Sequence, residues 1–156
     1  MARRAGYCPL QVVCVSLARD VRVFAHKTKQ DTRAVIRAST LEISASIILR
    51  TPVDSGRARN GWYATLDTPS TKIPKKTKAS KNINAPGPDS NSARAISRAT
   101  AVISDFGGNV YYLTNNLPYI RRLEYEAWST QAPAGMMRVS AAEYAAVLRE
   151  KIAALP

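Results

Sequence analysis

Residues 51–66 read TPVDSGRARNGWYATL, and within those positions the chain changes character twice. Upstream, Ile36, Ile43 and Ile47 recur at helical spacing with Leu41 and Ile48 beside them, while Arg33, Arg37 and Glu42 keep the other side polar. That spacing predicts about five turns of amphipathic helix, ending at Arg50 because Pro52 cannot continue it. Pro52-Val53-Asp54-Ser55-Gly56 is turn chemistry: Asp54 and Ser55 can bond their own backbone, and Gly56 is free to take a positive φ. Trp62-Tyr63-Ala64-Thr65-Leu66 then alternates and is rich in aromatic and β-branched residues, which predicts a strand burying Trp62, Ala64 and Leu66. A helix that stops, turns and delivers a strand within so few residues points to an α+β domain.

Working outward toward the N-terminus, Thr28 with Asp31 three residues later resembles a capping box and is expected to start the helix that ends at Arg50. Leu17, Val21 and Phe24 predict a separate short helix before it. Toward the C-terminus, residues 67–92 break every periodicity, with Pro69, Pro74, Pro86 and Pro88 and the basic run Lys72, Lys75, Lys76, Lys78 and Lys81. This reads as a long basic loop or arm. Ala93–Phe106 returns to helix with Ile96, Ala99 and Ile103 in one stripe, and Val110–Thr114 is the second strand. Asn115-Asn116 and Pro118 turn the chain into a short helix over Tyr119–Tyr125. Met136–Val139 is expected as a third strand, followed by a terminal helix capped by Ser140 with Glu143 at the third position. The sum is an α+β fold: a small, mainly antiparallel sheet packed with helices, plus the arm.

Composition narrows the function. The chain has 156 residues, 23 Lys+Arg against 11 Asp+Glu and a net charge of +12, with a pI near 10.2 and a mean hydropathy of -0.21. This is enough chain for one domain with its own core, too apolar for disorder throughout, and without the 18 or so continuous apolar residues of a membrane span. The basic balance suits nucleic acid, an anionic surface or an acidic partner. Arg3 and Arg4 ahead of the apolar Cys8–Leu17 superficially resemble a secretory leader, but Pro9 and Gln11 interrupt that stretch and Arg19 and Arg22 follow at once. With one His and two Cys there is little material for catalysis, and Cys8, Cys14 and His26 match no zinc spacing. No Gly-rich phosphate loop, nucleophile elbow or zinc-hydrolase motif occurs. Neither catalytic residues, a metal nor a cofactor is therefore expected.

Two blocks carry more information than folding requires. The first is Thr51–Trp62, in which Asp54 can accept from the turn backbone or pair with Arg57 or Arg59, and those two arginines, read as exposed at a strand entry, are candidate contacts to another subunit. The second is YYLTNNLPYIRRLEY over residues 111–125 with QAPAGM over residues 131–136. Its Glu124 lies three residues after Arg121 and is expected to satisfy a local hydrogen bond or ion pair. Glu124 and Glu126, two apart, would face different ways on a helix, which argues against a metal pair. Arg121 and Arg122 are further candidate contacts.

Together the blocks resemble the "TPVDTGRxRxxW" and "NNxPYxxxLExG…QAPxGM" signatures of small tailed-bacteriophage proteins that complete the neck or tail at the head-to-tail junction. The residues carrying the likeness are Pro52, Asp54, Gly56, Trp62, Asn115, Asn116, Pro118, Tyr119, Glu124, Pro133 and Gly135. It departs where Glu126-Ala127-Trp128 stands in place of the Gly that follows the Leu-Glu-Tyr triplet in the family. Residues 1–15 have no counterpart and read as an N-terminal extension to a single domain at 16–156. The resemblance implies a structural virion protein assembled in the host cytoplasm, not an enzyme. It would form a ring of expected sixfold symmetry joining the DNA-filled head to the tail. Its neighbours would be head-completion or connector proteins and tail-terminator or tail-tube proteins, with non-specific contact to genomic DNA in the channel and none to membrane. Residues Arg57, Arg59, Arg121, Arg122 and the arm lysines would make the contacts. A tail terminator or tube-proximal ring is the alternative within the class. A sequence-independent DNA-binding protein outside any virion would explain the charge but not the two blocks.

Overall fold

The computed structural model describes residues 9–75, 89–107 and 110–153. Among the described residues, five helices and a two-stranded antiparallel sheet follow one another: α1 (Pro9–Arg50), α2 (Arg57–Asn60), β1 (Tyr63–Leu66), α3 (Ser90–Ser104), β2 (Tyr111–Thr114), α4 (Ile120–Tyr125) and α5 (Met137–Ala153). The fold is α+β, as expected. Within α1 the chain divides into two compact units, Met1–Ala34 and Val35–Pro156.

The expected break at Thr28 is not there. Neither Gly nor Pro occurs between Pro9 and Pro52, so nothing interrupts the hydrogen-bond ladder, and the Thr28 carbonyl accepts from the Thr32 hydroxyl at 2.8 Å inside one continuous helix. Pro9 at the first helical position suits a start, since its missing N–H has no helical acceptor there anyway.

In the unit Val35–Pro156, Ile47 and Ile48 meet Ala58, Trp62, Ala95, Leu117, Leu123 and Met136 in the core. The buried face of α1 also includes Ser39 and Ser44, whereas Ile36 is exposed. Each serine hydroxyl turns back on the helix, Ser39 to the Ile36 carbonyl and Ser44 to that of Thr40, which satisfies a group that would otherwise be costly to bury. Small side chains let neighbours approach, and Ser44 meets the Tyr111 hydroxyl at 3.1 Å. The two strands pair with Tyr63 opposite Thr114 and Leu66 opposite Tyr111, and α3 packs against both β1 and α2. Trp62 is buried, but Ala64 and Leu66 are only half-buried, as are all residues of both strands.

The expected third strand is the beginning of a helix: Met137–Val139 form the first turn of α5. Ser140 accordingly lies inside α5, buried against Ser46 at 2.9 Å rather than capping, and Glu143 reaches Arg50 with two hydrogen bonds of 3.0 and 2.8 Å. The described part of the arm is tied to its own domain. Asn116 donates to the Ser70 and Lys72 carbonyls and Arg57 to that of Pro74. Lys72 and Lys75 are exposed on it, while Lys76, Lys78 and Lys81 lie outside the described residues.

Candidate functional site

The two sequence blocks fold onto each other. The hinge of the first is Thr51, fully buried, whose hydroxyl donates to the Ile47 carbonyl at 2.8 Å and accepts from the Trp62 indole N–H at 2.8 Å. One hydroxyl thus satisfies a terminal carbonyl of α1 and fixes the ring on which the core packs. Gly56, at φ 73, completes the turn, and a Cβ there would run into the Asn91 side chain. Asn115 donates to the Ala58 carbonyl at 2.9 Å while its side-chain oxygen accepts from Leu117 N–H. Arg98 holds the Asn60 and Trp62 carbonyls and stacks 4.7 Å over Tyr63.

Arg57 and Arg59 are not exposed at a strand entry. They stand on α2, half-buried, and spend their donors internally: Arg57 on the Pro74 carbonyl, Arg59 on the carbonyls of Thr51 and Leu49 at 2.8 and 3.0 Å. Arg59 also lies 3.9 Å from Asp89. Burial lowers the Arg59 pKa and Asp89 partly restores it. The reason is geometric, since the end of α1 leaves carbonyls that a planar guanidinium satisfies in pairs. Asp54 is exposed.

Glu124 has the most unusual environment. It is 4% exposed, and its carboxylate accepts from three successive backbone N–H groups, Met136 at 2.9 Å, Met137 at 3.0 Å and Arg138 at 2.9 Å. The Arg138 guanidinium approaches at 3.5 Å and donates to the Glu124 carbonyl. No acidic residue lies in the first turn of α5, so a carboxylate 12 to 14 residues earlier in the chain supplies the cap. Burial pushes the carboxyl pKa up, but the donated N–H groups of Met137, Arg138 and Met136, with the Arg138 charge, outweigh it and hold the group below its ordinary value. Its bonds are therefore long-range, not the local ones expected. Gly135 makes room at φ 80, with a Cβ there only 2.6 Å from the Glu124 carbonyl oxygen.

Between the blocks lies a cleft of about 540 Å³. One wall is the turn, with Pro52, Val53, Asp54 and Arg57; the other carries Tyr119, Leu123, Trp128 and Gln131. Gln131 clamps the floor through its amide, accepting from Val53 N–H at 2.9 Å and donating to the Val53 carbonyl at 3.1 Å. Burial raises the Tyr119 phenol pKa, nearby Arg57 opposes that, and Asp54 adds to it. Trp128, which lines the cleft, is 58% exposed, and Tyr125 at the end of α4 is 64% exposed. Tyr119 meets Trp128 edge-on at 6.2 Å, and the Arg122 and Arg138 guanidinium groups lie over Trp128 and Tyr125 at 5.7 and 5.2 Å. Arg121 and Arg122 are both exposed, Arg122 beside Glu126 at 3.6 Å. Pro118 and Pro133 are exposed as well. Such a cleft, aromatic with one acid and one base, suits an apolar side chain carried on a polar backbone.

Gln131, Trp128 and Tyr125 were not singled out by sequence reasoning. Gln131 and Tyr125 were legible only as part of their block, and Trp128 follows no periodicity that would mark it. Among the described residues no three His, Cys, Asp or Glu stand together, and no helix is long and apolar enough to cross a membrane. No family model, curated protein or solved structure matches the chain.

Proposed function

We propose that the chain is a structural virion protein of a tailed phage, one subunit of a ring at the head-to-tail junction, and that its work is assembly. The observation that carries this reading is the pair of sequence blocks, present in the order of the neck and tail-completion proteins. Their residues meet around one cleft instead of serving two unrelated parts of the fold. The cleft with its exposed Trp128 gives a neighbouring copy an apolar surface to cover, and Tyr125 and Met137 are further exposed apolar side chains outside its lining. Arg121 and Arg122 remain candidate contacts beside it. Arg57 and Arg59 shape the wall from within, and Lys72 and Lys75 are the arm lysines still offered to a neighbour. A sixfold ring would carry a charge of roughly +72, comparable with the phosphate charge over about 120 Å of duplex.

The test is the particle itself. Virions purified to homogeneity are expected to contain this chain at a few to a dozen copies. Deleting its gene is expected to leave filled heads and separate tails that fail to join, or tails of defective length. Infectious particles made without the chain would refute the assignment, and particles lacking it would favour a DNA-binding protein outside the virion.

A further inference from the structure

Because α1 runs unbroken past Thr28, residues on both sides of that position share one helical register. At about 100° per residue, Arg22, His26, Lys29 and Arg33 fall within about 60° of one another. All four are exposed. Their intervals of four, three and four residues set successive side chains about 6.0, 4.5 and 6.0 Å apart along the axis. Asp31 stands about 180° round the helix from Arg22, and Lys27 about 160° from Lys29. Among the described residues no ion pair engages Arg22, Lys29 or Arg33.

A solvated helix surface ordinarily alternates charge so that residues four apart attract. Here Lys29 and Arg33 are like charges four apart, an arrangement that opposes the helix until an anion lies along it. We propose that this stripe binds the phosphate backbone of double-stranded DNA without reading its sequence. Duplex DNA offers a continuous rail of charge, one phosphate per about 3.4 Å of each strand, which suits donors repeated every turn. An acidic protein is the poorer match. Protein interfaces are organised around a buried apolar or aromatic anchor; the exposed Val23 stands at the edge of the stripe, about 60° beyond His26, as a single aliphatic side chain with no aromatic beside it in the stripe. The inference does not depend on the phage reading, since it rests on unit Met1–Ala34 alone.

The test uses the full chain and a fluorescently labelled duplex of arbitrary sequence, with affinity measured by anisotropy from about 50 to about 200 mM salt. The triple variant Arg22→Gln, Lys29→Gln, Arg33→Gln keeps good helix formers at each position. It is expected to bind more weakly and to show a log–log salt slope shallower by about 2.7, so that the advantage of the unmodified chain shrinks about 40-fold across that range. Equal slopes would overturn the proposal. So would polyglutamate that binds the unmodified chain as tightly as DNA does and loses as much in the variant, an outcome that would assign the stripe to an acidic protein. A second measurement needs no variant: DNA is expected to slow acetylation of Lys29 several-fold while leaving Lys27 unchanged, and equal protection of the two would overturn it as well.

Discussion

The stretch around Thr28 and the stretch around Met137 both carry polar groups able to receive helix N–H bonds, yet only the second begins a helix. At Thr28 every upstream residue can itself be helical, so the N–H groups already have acceptors four residues back and no helix end forms there. At Met137 the chain arrives through Pro133 and a left-handed Gly135, which leaves the first N–H groups without partners, and Glu124 collects three of them. A helix start is thus made by interruption first and by an acceptor second, and the acceptor need not be close in sequence.

Removing that acceptor is the strongest way to break the contrast. Glu124→Ala strands one buried and two part-buried donors together with Arg138 and is expected to lower stability by about 3 kcal/mol in urea unfolding, with hydrogen exchange fastest in the first turn of α5. Because the folded carboxyl pKa is lowered, its stabilisation is complete above the unfolded value of about 4.3 and is lost as pH falls through the folded value. Glu124→Gln is therefore expected to flatten the acid limb of the stability profile below about pH 5; an acid limb unchanged in that variant would mean another carboxylate governs it. Next in size, Gly135→Ala forces a Cβ against the Glu124 carbonyl at a positive φ and is expected to cost about 2 to 3 kcal/mol.

The remaining two substitutions sharpen the comparison by their sign. Ala127 sits at φ 48 just after α4, one residue beyond the position where the resemblance places Gly, and a side chain there is strained. Ala127→Gly is expected to stabilise by about 1 kcal/mol, and a loss in thermal unfolding would show that the methyl group does more than strain the turn. Thr28→Ala is expected to gain up to about 0.5 kcal/mol, the helix-interior difference, where a capping residue would instead lose about 1 kcal/mol.

Much of the architecture could be read from residues 51–66, because a proline, a turn and an alternating aromatic run act locally. The end of α1, β1, α3, β2 and the short α4 are found where spacing placed them. What was not legible depended on distant partners. Met136–Val139 has strand-like composition, and only Glu124 and Gly135 turn it into a helix start. Ser39 and Ser44 lie on the buried face of α1 because they bond back to their own helix, so apolar periodicity set the core face around Ile36 instead. In the site, the members of both blocks were identifiable by motif, but their meeting was not. The Gln131 clamp on Val53 spans 78 residues, and Arg57 and Arg59 look like free surface cations until the carbonyls they hold are in view.

The buried Thr51–Trp62 bond has an optical consequence. The chain has two tryptophans, one 1% exposed in the core and the other 58% exposed on the rim of the cleft, so their emission separates into two reports. Trp62 should emit to the blue and resist a soluble quencher for as long as the turn holds. Trp128 should emit to the red and be quenched readily until something covers the cleft. Loss of the blue component then signals unfolding, whereas protection of the red component at constant blue signals occupancy, and one cuvette distinguishes a chain that has come apart from one whose cleft has been covered.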